Sequence, residues 1–210
     1  MSDGKKPGKK AQKSAETRRR ILEAAGDLFV TQGYGATMLQ QIADKAGVAV
    51  QTVYFVFGNK RRLLKDLVDV TIAGDDLPMA TMDRPWFREA LATATAQEHL
   101  RQHVSGTRAV LERVSPMVKV LEIAEATDPE VAEMWPSGED PRHIVSTAAA
   151  QSLMGKPGAR PDVPAEHAAD LLYGVLSPDV YLLFVRNRGW TPDRFERWAH
   201  DTLRAQLCAD

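Results

Sequence analysis

The sequence predicts an all-α protein, and three observations carry that prediction. Runs of alternating β-branched and aromatic residues, the usual strand signal, are almost absent from its 210 residues. Apolar residues recur instead with the spacing of one helical face. Ile21, Leu22, Ala25, Leu28 and Phe29 do so near the N-terminus, and Phe195, Trp198, Ala199, Leu203 and Leu207 near the C-terminus. Helix starts are also repeated: Ser115-Pro116, Asp128-Pro129, Ser177-Pro178 and Thr191-Pro192 each set a capping side chain before a proline suited to the first helical turn.

Taken in order, residues 1–14 are rich in Lys and Gly with almost no apolar side chain, which predicts a flexible basic arm. From Ala15 a first helix runs to Gly33, where a left-handed cap costs little. In the next segment, Thr37 to Phe57, Thr37 can cap a helix while Gln40 reaches back to the cap amide, so a second helix is expected near Met38. Ala43 is small where another helix must cross, and Gly47 can take the positive φ of a tight turn. Ile42, Ala46, Val48, Val53 and Val56 then supply inner faces, and Gln51, Thr52 and Phe55 point elsewhere. The pattern is that of a helix-turn-helix, although similar hairpins occur in helical proteins that never meet nucleic acid. Further on, Trp135 to Pro141 and the Pro- and Gly-rich Gly155 to Pro164 read as loops.

Charge is distributed unevenly. Residues 1–65 hold 13 Lys and Arg against five Asp and Glu, while residues 66–210 hold 14 against 23. A polyanion partner suits the first part, although solvated helix faces would give the same count. With 44% hydrophobic residues the chain can bury a core. The lone cysteine, Cys208, has no disulfide partner within the chain, no run reaches the length of a membrane helix, and residues 1–15 lack an apolar signal core. A cytoplasmic protein is expected. HExxH, GxSxG and phosphate-cradling glycine loops are missing, so an enzyme is not expected. His99 and His103 have the i, i+4 spacing of metal ligands, but no third ligand is identifiable; they read as surface histidines, and neither metal nor cofactor is expected.

Between Thr17 and Leu67 the sequence resembles the TetR family of bacterial regulators. The resemblance rests on Thr17-Arg18, Ile21-Leu22, Ala24-Ala25, Leu28-Phe29, Gly33-Tyr34, Thr37, Ile42-Ala43, Ala46-Gly47-Val48, Thr52-Val53-Tyr54, Phe57, Lys60 and Leu63-Leu64. It implies a three-helix DNA-binding domain followed by a larger helical domain for ligand binding and dimerisation, about nine to ten helices in all. The corresponding division is an arm at 1–14, the helix-turn-helix domain at 15–60, a connecting fourth helix at 61–74 and the second domain at 75–210.

By the matched positions, Thr37, Tyr54 and Lys60 are expected to contact phosphates, which position without specifying. Gln40, Val50, Gln51 and Thr52 are expected near base edges, Gln51 foremost, because a glutamine can bond an adenine edge at two points. Gln40 also remains open as a capping-box partner alone, and Tyr54 as core packing with an exposed hydroxyl. Val56 stands where the family often carries His or Tyr, so one backbone contact is missing. The resemblance further implies a homodimer on an inverted-repeat operator. Its pairing surface is expected in the last two long helices, about 164–187 and 192–207, at Val180, Tyr181, Phe184, Trp198 and Leu203. A small hydrophobic effector is expected among the middle helices, near Trp86, His103, Met117, Glu122, Met134 and Trp135. The function expected is ligand-responsive repression of transcription, with helix 4 as the lever. The alternative is an architectural or nucleoid-associated DNA-binding protein without an inducer.

Overall fold

The structure, a computed structural model, describes residues 8–77, 79–134 and 140–209. Trp135 and most of the loop expected around it lie outside these. Among the described residues are eleven α-helices and no strand. The helices are α1 (Lys9–Gln32), α2 (Leu39–Ala46), α3 (Val50–Phe57), α4 (Lys60–Ala73), α5 (Pro85–Ala92), α6 (Ala96–Thr127), α7 (Pro129–Ala132), α8 (Pro141–Met154), α9 (Ala165–Val175), α10 (Pro178–Tyr181) and α11 (Pro192–Leu207). The total passes nine to ten because α7 and α10 are single turns of four residues.

Helix α1 starts at Lys9, so the second half of the expected arm is helical; Arg19 joins Glu16 at 2.6 Å and also Glu23 on the same helix. It ends where expected, at Gly33, with φ of 88° and its N–H donating to the Phe29 carbonyl at 3.0 Å. Proline and its capping neighbour mark true starts at α7, α10 and α11; Ser177 Oγ accepts from Val180 N–H, and Thr191 Oγ1 from Arg194 N–H, each at 3.2 Å.

The start expected at Ser115-Pro116 is overturned, because Pro116 lies inside the 32-residue α6. A proline there removes one backbone bond, but burial on both sides holds the helix together. Leu100, Val104 and Leu111 precede it in one core, and Met117, Val120 and Ala124 follow it in another. The single segment expected at 164–187 is likewise divided: α9 ends before Ser177, and α10 continues into a wider π turn, Leu182–Asn187.

Two compact units result. The first comprises residues 1–70 and 116–136, the second 71–115 and 137–210. In the first, Ile21, Ala25, Phe29, Ile42, Ala43, Val53, Leu63 and Leu64 are completely buried. In the second, Leu100, Leu153, Phe195, Ala199, Leu203 and Leu207 form the centre. Its C-terminus is pinned by Arg160 N–H donating to Leu207 O and Ala209 N–H to Gly158 O, both at 2.9 Å, and burial pushes the Cys208 thiol pKa up.

Candidate nucleic-acid interface and effector cavity

In the first unit, α2 and α3 are joined by Gly47 in the left-handed region, φ 65° and ψ 42°. Its N–H and that of Val48 satisfy the last carbonyls of α2. Arg20 of α1 donates to the Ala46 and Gly47 carbonyls, and a Cβ on Gly47 would lie 2.7 Å from its Nη2. Glycine is favoured here by the backbone angle, while the Arg20 guanidinium over the turn is the end of a flexible side chain that could move aside. Val53 and Phe57 anchor α3, both nearly or wholly buried, and leave Gln51, Tyr54 and Phe55 exposed. Thr52, Val50 and Val56 are half-buried, Val50 and Val56 against the core. No residue of α3 carries a charge.

Two of the residues expected to contact phosphate are engaged within the protein in this structure. Thr37 is only 1% exposed, and its hydroxyl donates to Gly33 O at 2.8 Å. Lys60 Nζ donates to Tyr34 O at 2.7 Å and Thr37 O at 2.9 Å and lies 4.3 Å from the centre of the Tyr34 ring. Burial pushes the Lys60 pKa below the ordinary ammonium range, against the pull of Asp128. Lysine 60 thus clamps the α1–α2 loop, a role that adjacency in sequence does not reveal. The capping box is shifted by one residue: Met38 is the cap, and its N–H donates to Gln41 Oε1 at 2.8 Å. Gln40 is exposed and donates to Asp44 Oδ1 at 2.7 Å, so it is not the capping partner. Tyr54, at 53% exposure, is not a core residue.

At the start of α4, Arg61 donates to Asp128 Oδ2 at 2.8 Å and Glu130 Oε2 at 2.6 Å. Bonding to Arg61 lowers the Asp128 pKa, and the same bond raises that of Arg61. Sequence reasoning missed this link, although Asp128 had already been noted as a helix cap.

The second unit holds a partly open cavity of about 370 Å³. Its wall includes Trp86, His103, Thr107, Leu111, Val145 and Tyr173. Trp86 and His103 are where the effector was expected. Met117 and Met134 instead pack in the core of the first unit, and Glu122 is exposed and paired with Lys119; these three are removed from the cavity. Their helical spacing is the same as that of cavity residues, and only tertiary packing separates them. Arg142 stands 4.4 Å over the Tyr173 ring, and the Tyr173 hydroxyl donates to Asp140 Oδ2 at 2.6 Å.

His99 and His103 are not surface histidines. They are 0% and 3% exposed, with rings 6.2 Å apart. Burial lowers their pKa values to about 4 and about 3, helped by Lys156 for His99 and by His99 for His103. Both nitrogens of His99 and Nδ1 of His103 have no hydrogen-bond partner. Among the described residues no group of three or more His, Cys, Asp or Glu is placed to hold a metal.

Of the expected pairing surface, Tyr181 and Leu203 are buried within the chain's own core. Val180, Phe184 and Trp198 are half-buried, Phe184 being stacked on Trp190 at 4.3 Å, and Leu183 beside them is 49% exposed.

A glycine-hinged helix pair with an uncharged third helix, accompanied by a helical unit holding an apolar cavity, places this chain in the class of helix-turn-helix proteins. Residues 21–67 match the family model of the bacterial regulatory proteins of the tetR family. It is 37% identical over 89 residues to the HTH-type transcriptional regulator SrpR of Pseudomonas putida, covering 41% of each chain. It is 26% identical over 171 residues to YdeS of Bacillus subtilis, an HTH-type transcriptional regulator, covering 80% of this chain and 79% of that one. The match therefore spans less than half the length of SrpR. The fold is shared with a TetR-family regulator from Mesorhizobium loti, TM-score 0.69 at 21% identity over 93% of this chain and 98% of that one. It is shared equally with SmeT in its triclosan complex, TM-score 0.69 at 20% identity over 92% of each.

Proposed function

We propose that this protein is a homodimeric, cytoplasmic regulator of transcription that grips an inverted-repeat operator with α3 and releases it when a small, largely apolar effector fills the cavity. The observation that carries this reading is the division of α3 into a buried edge, Val53 and Phe57, and an exposed edge, Gln51, Tyr54 and Phe55. Gln51 is the base-reading residue, with Thr52, Gln40 and Val50 at the margin of the contact and the Tyr54 hydroxyl on phosphate. One short helix offers too few contacts for specific binding. Two copies in successive major grooves double them, and the operator then mirrors the twofold axis. The face for pairing is the one bearing Leu183, Val180, Phe184 and Trp198.

The names of the relatives, all regulators, support a regulator over an enzyme. The SmeT–triclosan complex supports a small apolar effector here, as does a largely apolar wall in which the buried His103 is neutral at ordinary pH. A purely architectural protein has no use for such a cavity. Helix α6 is the connecting element: it lends His103, Thr107 and Leu111 to the cavity, and directly after its end Asp128 holds Arg61 on α4. An effector that favours a shifted α6 lowers DNA affinity by its differential affinity for the two states.

The test is a binding-site selection with the full chain, followed by anisotropy titrations with and without triclosan and other neutral apolar compounds. A palindromic site and effector-dependent release are expected. Equal affinity for all duplexes would overturn sequence-specific regulation.

A further inference from the structure

Phe55 is 90% exposed, the most exposed large apolar residue among those described. It forgoes in water the burial that holds Val53 and Phe57 of the same helix in place. It stands four residues after Gln51, so both side chains emerge on one face. The face carries no cation and no anion, because α3 has neither. Reading guanine by a bidentate Arg or Lys, or cytosine by a carboxylate, is therefore closed to this helix. What remains is amide bonding by Gln51 and apolar contact by Phe55.

We infer that Phe55 reads the 5-methyl group of a thymine beside the adenine bonded by Gln51, so that α3 selects an adenine–thymine pair of neighbouring positions in each half-site. The inference rests on the proposed DNA-binding role of α3. The thymine methyl is the one apolar feature that the major groove presents, and only there does a phenyl ring gain contact without burying an unpaired polar group. The occupant is duplex DNA and not a second protein surface, because the residues that carry Phe55 belong to the basic part of the chain, 13 Lys and Arg against five Asp and Glu over 1–65.

The experiment replaces each thymine of the selected operator by uracil, which pairs identically and lacks only the methyl. Wild-type protein, Phe55→Ala and Phe55→Leu are titrated against every duplex. One thymine per half-site is expected at which uracil weakens wild-type binding about three- to tenfold. Phe55→Ala should bind thymine and uracil duplexes there alike, and Phe55→Leu should recover part of the difference. Unchanged melting of Phe55→Ala, expected for a side chain this exposed, keeps the comparison at the interface. A specific operator with no uracil-sensitive thymine, or with equal sensitivity in Phe55→Ala, would overturn the inference while leaving operator binding intact. Failure to select any operator would overturn the DNA-binding role and this inference with it.

Discussion

The indole of Trp86 packs on Gly106 of α6 so closely that a Cβ on that glycine would lie 2.7 Å from Cδ2 of the ring and closer still to Cε3. Trp86 meets Phe87 edge-on at 5.5 Å and His103 at 6.0 Å, so one missing methyl group on α6 sets the position of a cavity wall. Gly106→Ala is expected to displace the indole. The overpacking costs about 1–3 kcal/mol, against which the helix propensity of Ala returns about 1 kcal/mol. Tryptophan emission should shift and effector binding weaken, with effector-free DNA affinity unchanged. Unaltered emission and melting would show that the ring yields without cost.

Lys60→Ala should weaken DNA binding by loosening the α1–α2 loop, not by losing a phosphate. Its Nζ is committed to carbonyls of Tyr34 and Thr37. Leaving those acceptors without a charged donor costs about 1–3 kcal/mol, read as a lowered denaturation midpoint. The discriminating measurement is the slope of log affinity against log salt. A lost phosphate contact reduces that slope by about one per site, whereas a loosened loop leaves it unchanged.

Arg61→Met tests the link from α6 to α4. Arg61 is 38% exposed, so its pairs with Asp128 and Glu130 contribute about 0–1 kcal/mol to stability. Melting should barely move. Effector binding to the cavity is expected to persist while its effect on DNA affinity falls. Full effector-driven release in the variant would exclude this pair as part of the coupling.

Acid should destabilise the second unit through His99 and His103. Burial lowers both from the ordinary imidazole value of 6.5, to about 4 and about 3. The unfolded chain thus takes up protons that the folded chain refuses. Stability is whole above pH 6.5 and is lost as pH falls, by about 1.4 kcal/mol per pH unit for each histidine until its folded pKa is reached. Chemical denaturation between pH 7.5 and 5 isolates this, because the carboxylates with lowered pKa, such as Glu98 and Asp75, have ordinary values of 4.5 and 3.8, below that window. His99→Leu should flatten the curve. The same slope in that variant would assign the acid sensitivity elsewhere.

The helices that the chain announces are those whose ends and faces are local. Gly33 and Gly47 stop helices through their own backbone freedom, and Ser177 and Thr191 start them with side chains three residues away. The 1–65 charge excess and the exposed Gln51 are equally local, and they were legible. Ser115-Pro116 misled because a proline inside a helix survives only when burial on both sides outweighs the missing bond, and that burial comes from distant segments. His99 and His103 misled for the same reason: a polar side chain at helical spacing does not say what will cover it.

By itself, then, the sequence determined an all-helical chain with a glycine-hinged helix pair, since periodicity, caps and positive φ act within a few residues. The tertiary structure alone decided that Lys60 clamps a loop, that Met117 and Met134 leave the cavity to Trp86 and His103, and that Tyr181 and Leu203 are interior. Those assignments depend on which of several equivalent apolar faces meets which, and that choice is made by packing across the whole chain.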